Sequence, residues 1–268
     1  MLDKVIFCMK NTDIVKGRID SLKEAGVSVY LTEKPHELER QKWNEDTLLV
    51  TDYEDWQLAD IFLAVPRIGY GLSYHGSAKY VVCDMEALDK SFLEMVYCRY
   101  YGMPLVIAET PRLLIREMSL SDLDNLYELY GTLKDCPYIE QLYDIEKETE
   151  FTKNYIQNMY GFFGHGLWLV IRKSDNRLIG RAGIENREID GTTEKELGYL
   201  IGRPWQKHGY AKEACEAIIS YAAEYLECGR LFLCSHKQNI PSIHLAEKLA
   251  FKEYAKDIDG MNIYCRYL

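Results

Sequence analysis

Hydrophobic positions fall into two successive rhythms along the chain. In the first, short apolar runs alternate with stretches of helical spacing. "KVIFCM" (4–9), "VSVYLT" (27–32), "TLLVTD" (47–52) and "KYVVCD" (79–84) read as strands. "DIVKGRIDSLKEAG" (13–26), "YEDWQLADIFL" (53–63) and "EALDKSFLEMVYCRYYG" (86–102) read as helices, with Gly26 closing the first. Strands alternating with helices imply a small parallel-sheet, Rossmann-like α/β domain.

The second rhythm starts near "IAETPRLLIRE", where Thr110-Pro111 marks a boundary. The expected domains are therefore 1–110 and 111–268. "LLIREM" (113–118) predicts a strand. "SLSDLDNLYELYG" (119–131) and "DIEKETEFTKNYIQNMYG" (144–161) predict two helices, the first with Ser121 and Asp124 at capping-box spacing. "LWLVIRK", "RLIGRAGIEN" and "EKELGYLIG" predict a three-strand meander. A helix from Ala211 to Leu226, the strand "RLFLCSH", a short helix in "NIPSIHLAEKLAF" and a terminal hairpin follow. This is a mixed-sheet α+β pattern.

Composition narrows the function. The 268 residues carry a formal net charge of −10, which argues against a nucleic acid as partner, because phosphate neutralisation needs a basic surface. No apolar run reaches spanning length and the first residues lack a signal-peptide pattern, so a cytoplasmic protein with no membrane partner is expected. Eight cysteines are scattered without a Cys-x-x-Cys pair, so no metal site is expected and reduced thiols are.

One stretch stands apart. "RPWQKHGYAKEA" (203–214) joins a strand to a helix and concentrates Arg203, Gln206, Lys207 and His208 ahead of Gly209. The first amides of a helix lack internal partners, and with the helix dipole they favour a phosphate. Gly209 removes a side chain where the backbone must approach closely. The bland alternative is a glycine that only permits the turn, flanked by solvated charges.

The element order and Gln206-Lys207-His208-Gly209-Tyr210-Ala211 resemble the GNAT (Gcn-related N-acetyltransferase) superfamily, whose acyl-CoA signature is Gln/Arg-x-x-Gly-x-Gly/Ala. "ELGYLIGRPWQKHGYAKEA…N…S…AEKLAF" is similar to its ribosomal-protein-acetyltransferase branch, over residues 111–268. The resemblance implies acetyl-CoA as cosubstrate, held by residues 206–211, by free amides at Leu200 and Ile201 between splayed strands, and by Asn239. Asn239 equally suits the N-cap of the next helix. It also implies direct attack by an amine of a small molecule, a peptide or a protein N-terminus, and it is compatible with a homodimer. Glu196 is the expected base, acting through water. Ala246 stands where relatives carry a tyrosine acid, which leaves Ser242 or water to protonate the thiolate and keeps open a non-catalytic acyl-CoA sensor. Tyr138, Tyr143, Tyr160, Phe162, Phe163 and Trp168 form either an acceptor wall or core.

Residues 1–105, chiefly "LLVTDYEDWQLA", resemble the back part of haloacid-dehalogenase-like phosphatases. That family needs an Asp-x-Asp nucleophile after its first strand. Cys8-Met9-Lys10-Asn11 stands there, which leaves a catalytically dead relative or an unrelated α/β domain. "GYGLSYHG" (69–76) reads as an ordinary loop.

Overall fold

The computed structural model describes residues 2–40, 43, 45–226 and 228–268. The chain forms two compact units that divide between Met103 and Pro104.

The first unit is a five-stranded parallel sheet. Its strands are β1 (Lys4–Cys8), β2 (Ser28–Thr32), β3 (Thr47–Thr51), β4 (Arg67–Tyr70) and β5 (Tyr80–Val82), in the order β2-β1-β3-β4-β5. Alternation along each strand sends apolar residues to both faces. Val5, Phe7, Leu48, Val50 and Ile68 are covered by α1 (Lys16–Glu24) and α2 (Lys90–Tyr101). Ile6, Cys8 and Leu49 pack against Leu38 and Phe62 on 3-10 turns and against the extended Leu58. The helix expected over 53–63 is two 3-10 turns, Asp55–Gln57 and Asp60–Ala64. Leu58 and Ala59 between them are extended (ψ 147° and 146°), which breaks any continuous helix. The expected loop at 69–76 begins inside β4. Tyr74 folds its ring back over Gly69 and Gly76, where no Cβ would fit. At the carboxyl ends of the strands, Asp52 accepts the Lys10 amide at 2.8 Å, bridging β1 to β3 where the strand order reverses.

The second unit is an eight-stranded mixed sheet ordered β12-β13-β11-β10-β9-β8-β7-β6. Its strands are β6 (Val106–Glu109), β7 (Leu113–Arg116), β8 (Leu167–Arg172), β9 (Arg177–Ile189), β10 (Thr192–Ile201), β11 (Arg230–His236), β12 (Lys252–Ile258) and β13 (Met261–Tyr267). The sequence-based seam at 110 falls after β6, whose short run "VIAE" pairs with β7 and so belongs to this sheet. Neighbouring strands are antiparallel except β10 and β11. Helices α3 (Leu123–Gly131), α4 (Ile145–Tyr155), α5 (Tyr210–Tyr225) and α6 (Ile240–Lys248) complete it. The capping box at the start of α3 uses Ser119 and Asp122 rather than Ser121 and Asp124, because the chain already turns into a 3-10 helix at Leu120. Asp122 is held further by Arg116 at 2.6 Å. Past α4 the chain widens into a π-helical segment, Ile156–Phe163.

No helix among the described residues is long and apolar enough to cross a membrane. All eight cysteines are free, with Cys8, Cys215 and Cys265 buried.

Candidate active site

The site is built where β10 and β11 part. Their ladder registers only Glu196 against Phe232. In a continued parallel ladder the Cys234 N–H would bond back to the β10 main chain; instead it donates to Glu196 Oε1 at 3.2 Å. Beyond this plug the strands diverge. Gly202 N–H donates to Ile179 C=O at 2.9 Å, and the β9–β10 register is unbroken. Main-chain direction alternates along an antiparallel pair. Leu200 therefore aims its amide at β9, while Tyr199 and Ile201 aim theirs into the gap. This corrects the expectation for Leu200 and adds Tyr199.

The loop from Arg203 to Gly209 closes one end of the gap. Pro204 lies in a 3-10 turn over Arg203–Trp205. Gln206 is spent on position: its Nε2 donates to Ile201 C=O at 2.9 Å and ties the loop to β10. Lys207 (φ 64°) and Gly209 (φ 83°) both adopt the left-handed region. Gly209 is the N-cap of α5, and no side chain caps that helix. The amides of Tyr210, Ala211 and Lys212 thus meet no capping group, at the positive end of a 16-residue helix. His208 anchors Nδ1 on Gln206 C=O at 2.7 Å, and Lys212 pairs with Glu216 along the helix.

Two arginines that sequence spacing did not reveal complete the loop. Arg112 donates from Nη1 to His208 C=O at 3.0 Å and from Nε to Glu213 Oε2 at 2.6 Å, with its guanidinium 4.6 Å from the Tyr210 ring centroid. Arg172 pairs with Asp175 and lies near Tyr210, which helps to hold its guanidinium charged. Burial works to raise the Glu213 pKa, but hydrogen bonds from Thr110 and Arg112 outweigh it and hold that carboxyl below its ordinary range. Glu213 is thereby an anion that fixes Arg112 beside the helix start.

Farther along the gap, two carboxylates face each other across the β9–β10 pair, Glu185 and Glu196. Glu196 is engaged, by Cys234 N–H and by Arg187 Nη1 at 3.1 Å. Glu185 is different. Burial raises its pKa above the ordinary glutamate value, with only partial relief from the Tyr155 hydroxyl, which donates at 3.1 Å, and from Arg181. Tyr155 in turn accepts the Leu167 N–H at 2.6 Å, so its proton is directed at Glu185. Glu185 Oε2 lies 3.9 Å from the point where a Cβ on Gly198 would sit. That glycine leaves open floor beside the carboxylate. Nothing local in sequence marks Glu185, because its environment depends on Tyr155, thirty residues away.

On α6, Asn239 is the N-cap and its Oδ1 accepts Ser242 N–H at 3.4 Å. Burial pushes the pKa of the Tyr199 phenol, on β10, up to about 12. Ala246, one turn later, is fully buried in the core. The aromatic set divides: Trp168 and Tyr160 are core, whereas Phe162 is 80% exposed and Tyr138, Tyr143 and Phe163 are exposed too.

A mixed sheet that splays at its one parallel pair, with a bare helix start facing the opening, is the class of fold that seats an extended cofactor arm between strands. Residues 112–252 match the family model for the acetyltransferase (GNAT) domain, and the chain belongs to that family. It is therefore an N-acetyltransferase. It is 29% identical to the uncharacterised protein YkkB of Bacillus subtilis (strain 168) over 152 residues, 55% of this chain and 87% of that one. It is 32% identical to the putative ribosomal N-acetyltransferase YdaF of the same organism over 90 residues, 33% of this chain and 48% of the other. In fold it is similar to RimL, the ribosomal L7/L12 alpha-N-protein acetyltransferase, solved in complex with coenzyme A: TM-score 0.52, 17% identity, covering 61% of this chain and 98% of that one. Among the described residues no group of three or more His, Cys, Asp or Glu could hold a metal ion.

Proposed function

We propose that the donor is acetyl-CoA and the acceptor the N-terminal amine of a protein or peptide. The observation that carries the donor is the uncapped start of α5 behind Gly209, set at the end of the β10–β11 gap. These residues fit a diphosphate followed by a narrow amide-bearing arm. The amides of residues 210–212 would meet the diphosphate, with Arg112 and Lys207 supplying charge, and the Tyr199 and Ile201 amides would pair with the arm. When bound, the group supplies an activated acetyl thioester.

Glu185 takes the proton of the acceptor ammonium, leaving a neutral amine. A carboxyl raised by burial toward neutral pH is better matched to that transfer than an ordinary one. Glu196 holds the mouth of the gap in shape through Cys234 and Arg187. Ser242, on α6, relays to the departing sulfur the second proton that the amine nitrogen sheds as it bonds to the acetyl carbon. A thiolate is a good leaving group, with a thiol pKa of about 8.5, so a hydroxyl or water suffices in place of a tyrosine at 246.

The polypeptide acceptor is supported by the RimL likeness in fold and by the exposed aromatics Tyr143, Phe151, Phe162 and Phe163, which offer more apolar surface than a small amine needs. Thiol release from acetyl-CoA with a panel of peptides and of small amines tests the reading. Peptides with a free N-terminus should turn over, and the same peptides blocked at the N-terminus should not. Turnover confined to small amines would contradict the acceptor assignment, and none with any amine would contradict the reaction.

A further inference from the structure

An amine and a base stand together on the face of the second sheet turned away from Glu185. Lys195 immediately precedes Glu196 on β10, so strand alternation sends the two side chains to opposite faces. Lys195 lies opposite Asn186 on β9, and His165 reaches the same place from the segment before β8. Lys195 Nζ is 2.7 Å from His165 Nε2 and donates to Asn186 Oδ1 at 3.3 Å. His165 Nδ1 meets the Ile184 carbonyl at 3.0 Å. A carbonyl only accepts, so Nδ1 carries the imidazole proton and Nε2 presents its lone pair to Lys195.

That geometry sets Lys195 apart from other lysines of the chain. Lys16, Lys173 and Lys237 each pair with a carboxylate, Asp13, Glu109 and Asp257, which stabilises the ammonium form. Among the described residues no carboxylate pairs with Lys195, whose hydrogen-bond partners are a neutral amide and an imidazole. His165 is buried, and burial holds its pKa below the ordinary value, so the ring is neutral near pH 7 and able to take a proton. Burial also lowers the Lys195 pKa. Lys195 itself is half-buried, so solvent still reaches it. A nucleophile within hydrogen-bond reach of a base, with the base oriented by a third group, is the arrangement that activates a side chain for attack. Here the three are Lys195, His165 and the Ile184 carbonyl.

We infer that Lys195 is a site of covalent acylation by acyl thioesters, with His165 as its base. The Lys195 ammonium gives one proton to His165 Nε2, which passes it to solvent. The free amine attacks the thioester carbonyl; the N–C bond forms and the C–S bond breaks. The second proton leaves the nitrogen for the departing thiolate, so the products are an amide, a thiol and one solvent proton. The inference is independent of the donor and acceptor assigned above, because it uses neither the α5 loop nor Glu185.

Peptide mass mapping of the full chain treated with S-acetyl-N-acetylcysteamine, an acetyl thioester without a diphosphate, tests it. Lys195 should be acetylated at least about tenfold faster than Lys16 and Lys237, since a positioned general base contributes about 10²- to 10⁴-fold and partial burial slows the reagent. His165→Asn keeps a donor for the Ile184 carbonyl and removes the base. It should slow acetylation of Lys195 by about tenfold or more and leave Lys16 and Lys237 unchanged, with circular dichroism checking the fold. Asn186→Asp leaves His165 in place and sets a carboxylate against Lys195, which should slow its acetylation by holding the ammonium. Lys195 modified no faster than Lys16 and Lys237, or a Lys195 rate unchanged in Asn186→Asp or in folded His165→Asn, overturns the inference.

Discussion

Replacing Gly209 with valine should weaken coenzyme A binding by about 10- to 100-fold. Gly209 has φ 83° at the N-cap of α5. A β-branched residue there costs of order 1–3 kcal/mol, and each 1.4 kcal/mol is tenfold in affinity. The loop can relieve the strain only by rotating the peptide units that aim amides at the diphosphate, and a Cβ would also come within 3.4 Å of Nη2 of Arg112, whose Nη1 fixes the His208 carbonyl. Gly191 provides the control. It has φ 73° in the hairpin turn between β9 and β10, beside Asp190 at φ 51°. Gly191→Val should carry a similar backbone cost in thermal stability and leave coenzyme A affinity near wild type. Equal losses of affinity in the two variants, measured by titration calorimetry, would reduce Gly209 to a turn residue.

Glu185→Gln should lower kcat by about 100-fold or more, within the 10²–10⁴ range of a lost general base, with coenzyme A affinity retained. Glu196→Gln should cost less, because a glutamine oxygen still accepts the Cys234 amide and only the Arg187 pair is lost. The pH dependence separates the two. In the wild type, kcat/KM should rise with an apparent pKa above the ordinary glutamate value, and that limb should vanish in Glu185→Gln. Stability must move with it. The folded-state pKa of Glu185 is raised, so its contribution is most favourable below the unfolded pKa and is lost as pH rises through the folded one. Glu185→Gln should therefore gain stability relative to wild type as pH rises from 4 to 8. A large kcat loss confined to Glu196→Gln would return the base to Glu196.

Legibility of the chain in sequence followed the range of the interactions involved. The α5 loop could be read because its chemistry is local: a glycine, its flanking cations and a strand-to-helix junction all lie within twelve residues. β11 was placed to the residue by its own apolar run. The 53–63 segment misled because apolar spacing there imitates a helix, while extended backbone at Leu58 and Ala59 splits it and Trp56 is left 82% exposed. β4 was hidden between Pro66 and Gly71, since four residues make no period. Ser119 and Ser121 both stand three residues before an aspartate, and only the backbone turn at Leu120 decides between them. The active-site residues that were missed are those set by distant partners. Arg112 reaches His208 across 96 positions, and Glu185 owes its environment to Tyr155. Leu200 and Ile201 looked equivalent in sequence, and the direction of one hydrogen bond, Gly202 to Ile179, separates them.

The structure of the full chain crystallised with coenzyme A tests the account most directly. The diphosphate is expected within hydrogen-bond distance of the Tyr210, Ala211 and Lys212 amides, and the arm between β10 and β11 against Tyr199 and Ile201. A diphosphate bound away from the start of α5, with the gap between those strands left unfilled, would contradict it.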